Sequence, residues 1–161
     1  TPQDMAQALG MIKHPNARLY ARVKYCQQYD FSEELAINMR YVVLRDLVDG
    51  TWKIPRESKL GRDTQFILDL CRLAIYEACD PNLCPWCLGR AEVRPETGPV
   101  IVCSACRGTG QRTLRGVDRA RLLGLPTQRW SDWSERYRDI QAATVDKYEG
   151  LICGALRNRI A

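Results

Sequence analysis

Two cysteine pairs constrain this chain more than anything else in it: Cys84-Pro-Trp-Cys87 and Cys103-Ser-Ala-Cys106, in the arrangement C-x2-C-x15-C-x2-C. Two residues between cysteines let one tight turn present both sulfurs to a single ion, and two such turns supply the four thiolates of a closed tetrahedral site. The spacing therefore predicts a structural Zn2+ site on Cys84, Cys87, Cys103 and Cys106. A glycine stands two positions after each pair, in Cys87-Leu-Gly89 and in Cys106-Arg-Gly108-Thr-Gly110, which suits a backbone that bends under its ligands at positive φ. The first pair departs from this pattern further on, with Arg90-Ala91 where the second has Thr109-Gly110, and this leaves the shape of the first turn open. Between the pairs, Val93, Val100, Ile101 and Val102 are separated by Pro95, Gly98 and Pro99, the pattern of a short β-hairpin. The segment from about 82 to 112 thus reads as a small zinc ribbon.

A second signal follows in Ala120-Arg-Leu-Leu-Gly124-Leu-Pro-Thr127-Gln-Arg-Trp130-Ser-Asp-Trp133. A helix-turn-helix needs a small residue where its helices nearly touch, a glycine in the turn and a buried apolar residue in the second helix. Ala120, Gly124 and Trp130 have that spacing. Thr127 is expected to cap the second helix, with Pro126 ending the first. Trp130, Trp133, Tyr137 and Ile140 make one apolar stripe at helical spacing. The opposite face carries Gln128, Arg129, Ser131, Asp132, Glu135 and Arg136, side chains able to meet base edges or phosphates.

The rest reads as helical. Residues 2–12 are good helix formers, and 15–29 place Leu19, Val23 and Cys26 on one face. Asp30-Phe-Ser-Glu33 looks like a capped helix start, opening a helix with Leu35, Met39, Val42, Val43 and Leu47 at core spacing that stops at Asp49-Gly50. Residues 51–62, including Trp52, show no period and read as a connector. A further helix over 63–79 carries Phe66, Ile67, Leu70, Leu73 and Ala74 and ends at Asp80-Pro81. From Gln141, the residues Thr144, Tyr148, Leu151, Ile152 and Ala155 continue an amphipathic pattern. The expected fold is mainly α: a helical body with a helix-turn-helix and an inserted zinc ribbon. The N-terminal helical region is 1–62, and 63–161 is the helix-turn-helix region with the insertion. Helix 63–79 should serve as the third helix on which a helix-turn-helix rests.

Charge sharpens the reading. The chain has a net charge of +5, and 107–129 alone holds six arginines (107, 112, 115, 119, 121 and 129) against one acid, Asp118. A basic segment overlapping a helix-turn-helix suggests phosphate contact by Arg112, Arg115, Arg119 and Arg121, with Gln128 and Arg129 reading bases. Cys26, Cys71, Cys79 and Cys153 sit in apparent helices and read as buried small hydrophobes, Cys79 being close enough to Cys84 to suggest an alternate ligand. The one histidine, His14, has no paired acid or nucleophile in its sequence neighbourhood, and four cysteines close a zinc shell, so catalysis is not expected. Apolar runs are too short for a membrane span and the N-terminal stretch lacks the layout of a signal peptide, from which a cytoplasmic location is expected.

With these features in view, the chain resembles the antitermination protein Q of lambdoid bacteriophages, the phage 21 type in particular. The resemblance is most specific over 84–133. It implies a late-gene regulator in the bacterial host cytoplasm that binds a promoter-proximal double-stranded DNA element, two copies being one arrangement. It implies loading onto paused RNA polymerase holoenzyme and readthrough of terminators, with nascent RNA threading a collar at the exit channel. The carried-over positions are the four cysteines as zinc ligands and helix 128–136 as DNA reader. Two other readings compete. One is a zinc-containing helix-turn-helix regulator of initiation. The other is a polypeptide-binding module, since the knuckles also resemble the zinc region of DnaJ-type co-chaperones; that family uses four such motifs, whereas this chain has two and lacks a His-Pro-Asp tripeptide.

Overall fold

A computed structural model describes residues 2–50, 63–79, 83–84, 86–112 and 114–160. The expected connector over 51–62 and the helix stop at Asp80-Pro81 lie outside the described residues. The fold is mainly helical with one small antiparallel sheet. Its elements are α1 (Pro2–Met11), α2 (Pro15–Cys26), α3 (Ser32–Val48), α4 (Thr64–Cys79), β1 (Glu92–Val93), β2 (Ile101–Val102), α5 (Gly116–Leu122), α6 (Trp130–Gln141) and α7 (Lys147–Ile160). No helix among the described residues is long and apolar enough to cross a membrane.

His14 has a local role. It stands at the N-cap of α2, its Nδ1 accepting the Ala17 N–H at 3.3 Å, with Pro15 in the first turn. The helix stops at Cys26, three residues short of the expected run, because Gln27 adopts a left-handed conformation at φ 55°. Tyr29–Phe31 then forms a 3-10 turn that leads directly into α3. Neither Asp30 nor Ser32 caps α3: Phe31 occupies the cap position, and the Ser32 hydroxyl donates to the Tyr29 carbonyl at 2.6 Å. The chain enters α3 already coiled, so the side-chain cap is replaced by the preceding turn. Gly50, at φ 73°, closes the other end as expected.

α4 is the centre of the body. The expected residues Phe66, Ile67, Leu70, Leu73 and Ala74 are buried, and so are Leu68, Cys71, Ile75 and Cys79. One stripe would suffice for a helix lying on a surface; α4 packs against α2, α3 and α6, so most of its circumference is apolar. A single core runs from Ile12 to Ile152 and joins the N-terminal helices to the helix-turn-helix region, so the boundary at 62 divides the sequence and not the core. Burial pushes the thiols of Cys71 and Cys79 up to about 12, which suits small core residues. Cys26 is only half-buried and Cys153 is exposed, because they fall on the outer sides of α2 and α7.

The expected third-helix arrangement is present. The rings of Phe66 on α4 and Trp133 on α6 meet edge to face with centroids 4.8 Å apart. Leu73 lines a cleft with Leu122 and Leu123. α6 then runs into α7 through a π-helical turn, Ala142–Asp146. The wider turn lets Thr144 and Val145 both face inward, and the Thr144 hydroxyl donates to the Ile140 carbonyl at 2.5 Å. The rod thus turns its apolar side from α4 and α5 toward α1 and α2.

Trp133 and Trp86 make a test of this division into core and surface. Trp133→Ala should lower the free energy of unfolding by about 3–5 kcal/mol, whereas Trp86→Ala should stay within about 0.5 kcal/mol. Chemical denaturation followed by helical circular dichroism measures both; equal effects would contradict the packing.

Candidate metal centre and nucleic-acid interface

The ribbon is built from one unit used twice, offset by 19 residues. In the first knuckle the Arg90 N–H donates to the Cys87 carbonyl at 3.0 Å; in the second the Thr109 N–H donates to the Cys106 carbonyl at 3.1 Å. The knuckles also hold each other. The Cys84 N–H reaches the Gly110 carbonyl at 2.8 Å, and the Cys103 N–H reaches the Ala91 carbonyl at 2.9 Å. Left-handed backbone recurs in register: Leu88 and Arg107 at φ 53° and 52°, Gly89 and Gly108 at 81° and 79°, Ala91 and Gly110 at 66° and 71°. Ala91 therefore adopts the turn that glycine adopts in the second knuckle. The two positions differ in room, since a Cβ at Gly110 would lie 2.5 Å from the Gly89 carbonyl oxygen. The expected hairpin pairs Glu92 with Val102 and Val93 with Ile101.

This frame brings together all four predicted ligands. Cys84, Cys87, Cys103 and Cys106 are buried, and their sulfurs all lie within 4.8 Å of one another. Cys84 and Cys103 are 4.0 Å apart and Cys87 and Cys106 are 3.7 Å apart. A tetrahedron of sulfurs at about 2.3 Å from Zn2+ has edges of about 3.8 Å, so the donor set and its size fit a four-thiolate metal site. Desolvation lifts the Cys87 thiol to about 11, aided by its hydrogen bond with Cys106. Burial also opposes ionisation of Cys106, but the Gly110 N–H at 3.3 Å and the thiols of Cys87 and Cys103 bring it down to about 6. Cys106 is thus a readier thiolate than Cys87. Cys79 is not in the cluster.

The helix-turn-helix residues also come together. Ala120 is fully buried. Gly124 sits at φ 65° after α5, where the Leu125 N–H bonds the Ala120 carbonyl at 2.8 Å and the Gly124 N–H bonds Arg121 at 3.1 Å, a glycine-ended helix stop. Trp130, Trp133, Tyr137 and Ile140 are all buried, and Trp130 lies so close to Gly116 that a Cβ there would be 2.5 Å from the indole. Thr127 does not cap α6. Thr127–Arg129 is a 3-10 turn that leads into the helix, so Gln128 and Arg129 precede α6 proper.

The candidate DNA residues are placed unequally. Gln128, Arg129, Ser131 and Asp132 are exposed at the start of α6, and Arg136 is half-buried. Arg129 pairs with Asp132 at 3.2 Å, Arg136 with Asp139 at 3.4 Å and Arg115 with Asp118 at 3.2 Å. Each pair has at least one exposed partner, and such pairs are weak and readily exchanged for a phosphate. Arg112 and Arg121 are exposed, with no ion pair among the described residues. Arg119, expected on phosphate, is turned inward. It forks onto Glu77 of α4, at 2.8 Å from Nη2 to Oε1, with side chains only 22% and 12% exposed. The Tyr137 hydroxyl donates to the same carboxylate, and the guanidinium lies over the Trp130 and Tyr137 rings at 5.7 and 5.5 Å. Burial, with the charge of Glu77, holds the Tyr137 phenol above its ordinary pKa. The sequence reading missed this network. Its signal was the spacing Phe66, Leu70, Leu73, Glu77, which puts an acid where the core stripe of α4 continues.

Comparison of the chain with protein-family models, with curated proteins and with solved structures gave no match.

Removal of metal should unfold the ribbon and leave the helices, whose core is separate from the cysteine cluster. One Zn2+ per chain by elemental analysis, with helical signal largely kept after chelation, is the expected result. Glu77→Ala should cost about 1–3 kcal/mol, since it leaves the partly buried Arg119 and Tyr137 without their shared acceptor; denaturant melts of this variant beside Arg115→Ala, expected near neutral, check it.

Proposed function

We propose that the chain is a DNA-binding transcription factor whose helix-turn-helix is carried on α4 and stapled at its entry by a zinc ribbon. The observation behind this reading is the three-helix unit of α4, α5 and α6, with its tryptophan side packed inward and Gln128, Arg129, Ser131 and Asp132 exposed at the leading end of α6. In such units the second helix of the motif enters the major groove by its N-terminal end while the first crosses the backbone. Gln128 and Arg129 would then meet base edges, and Arg112, Arg115, Arg121 and Arg136 would meet phosphates. Arg119 is left out of that surface and holds the three helices at a set angle through Glu77. Cys84, Cys87, Cys103 and Cys106 would hold Zn2+, whose contribution is to lock the two turns without an open position for chemistry.

Within this class, the resemblance over 84–133 supports a more specific reading: a late antitermination and antipausing factor of the phage Q type. Such a protein binds a promoter-proximal element in the bacterial cytoplasm, loads onto paused RNA polymerase holoenzyme and modifies the RNA-exit channel so that nascent RNA passes terminators. Two copies on a DNA element would follow if its half-sites repeat.

Two measurements test the proposal. Replacing Arg129 with Ala should weaken binding to a duplex selected from a random pool by about 1–3 kcal/mol and relax preference at one position, while Arg121→Ala should weaken all duplexes alike and reduce the salt slope by about one. If Arg129→Ala lowers affinity equally for every sequence, its base-reading role is wrong. In single-round transcription with purified RNA polymerase, readthrough of distant intrinsic terminators that requires a promoter-linked element is expected. A change in initiation alone would leave the DNA-binding class standing and replace the antiterminator with an initiation regulator.

A further inference from the structure

The zinc module spends none of its larger aliphatic and aromatic side chains on a core except Val93. Its buried interior is the four cysteines with Val93 against them, and a thiolate shell needs no other apolar support. Leu83, Trp86 and Leu88 are 60%, 78% and 67% exposed, and Ile101 and Val102 are exposed as well. The other tryptophans of the described residues, Trp130 and Trp133, are buried.

The two-fold repeat shows which of these side chains the fold requires. Leu83 and Val102 each precede the first cysteine of a knuckle and each lie on its glycine: a Cβ at Gly89 would come within 2.7 Å of Leu83, and one at Gly108 within 3.0 Å of Val102. These are equivalent structural positions. Beyond them the knuckles share backbone but not surface. Leu88 and Arg107 occupy the same left-handed position, at φ 53° and 52°, and Trp86 corresponds to Ala105. The same turn is therefore built with Ala105 and Arg107 in one knuckle and with Trp86 and Leu88 in the other. Among the described residues nothing in the ribbon requires an exposed tryptophan and leucine at the first knuckle.

The chemistry of the surface selects the partner. Trp86 with Leu83 and Leu88 is flanked in sequence by the exposed Arg90; elsewhere on the module Arg94, Arg107 and Arg112 are exposed and outnumber the exposed acids Glu92 and Glu96. Tryptophan and arginine around aliphatic neighbours is the composition of a protein-binding anchor. A single-stranded nucleic acid would call for successive aromatic platforms, and this module has one aromatic residue among several aliphatics.

We propose that the first zinc knuckle is a protein-docking anchor, in which Trp86, Leu83 and Leu88 enter an apolar depression on a partner protein whose rim is acidic toward Arg90. Under the function proposed above that partner is the transcribing polymerase, and on this point the inference rests on that reading.

The test uses the full chain with zinc bound, in wild-type form and as Trp86→Ala with Leu88→Asn, asparagine being at ease in the left-handed turn. Purified RNA polymerase, the selected duplex DNA and a 20-nucleotide single-stranded RNA serve as probes. The double variant should bind polymerase at least tenfold more weakly, with zinc content, melting temperature and duplex affinity unchanged. Arg90→Glu should also weaken polymerase binding and flatten its dependence on salt. Unchanged polymerase binding in the double variant would overturn the anchor while leaving the antiterminator standing. Loss of RNA binding with polymerase binding retained would overturn it in favour of a nucleic-acid surface. A wild-type chain that does not bind polymerase would remove the antitermination reading and this partner with it.

Discussion

The structure depends on the burial of α4 against α6. Phe66 against Trp133, and Glu77 against Arg119 and Tyr137, bring the C-terminal end of α4 and the start of α5 into one core, to which both Cys79 and Leu114 belong. The intervening chain must leave that core and come back to it. A loop of this length pays closure entropy without burying apolar surface of its own, and a segment so short cannot build a sufficient core. Four thiolates around one ion would meet that requirement with few residues. The cysteine knuckles and the helix-turn-helix, separate signals in the sequence, are thus two parts of one topology, in which the third helix is supplied from the far side of an insertion.

What was legible in the sequence was whatever a few consecutive residues decide. The cysteine spacing, the stripe of Trp130, Trp133, Tyr137 and Ile140, the turn glycine Gly124 and the hairpin around Ile101 all rest on local geometry and appear where it places them, although α5 stops at Leu122 through Gly124 and not at Pro126 as expected. The capping roles expected of Asp30, Ser32 and Thr127 did not appear, because in both cases a 3-10 turn runs directly into the helix and takes the place of a cap. Arg119 shows the other limit. Its composition and neighbours are those of a phosphate-binding arginine, and only the tertiary position of Glu77, 42 residues earlier, turns it inward. The departure at Ala91 was readable as a question and not as an answer: backbone register shows that it takes the left-handed turn, and the room around it, unlike that at Gly110, admits a methyl group.

The Glu77 network raises a physical question of its own, since leucine at that position would continue the core stripe of α4 and avoid desolvating a charge. Buried ion pairs are weak contributors to net stability compared with apolar packing of the same volume. They differ in direction. A leucine side chain tolerates a range of helix angles, whereas a guanidinium fork on a carboxylate, with a phenol donating to the same group, is satisfied in few. Because Glu77 lies on α4, Arg119 on α5 and Tyr137 on α6, this one carboxylate relates all three helices of the unit. The exposed end of α6 is therefore held by a directional contact at its back. The ribbon, which hangs from the same unit by its two ends, shares no core with it. The exposed end of α6 is thus tied to the rigid body, and the outward apolar knuckle is carried on a module framed by its own backbone pairing and the cysteine cluster.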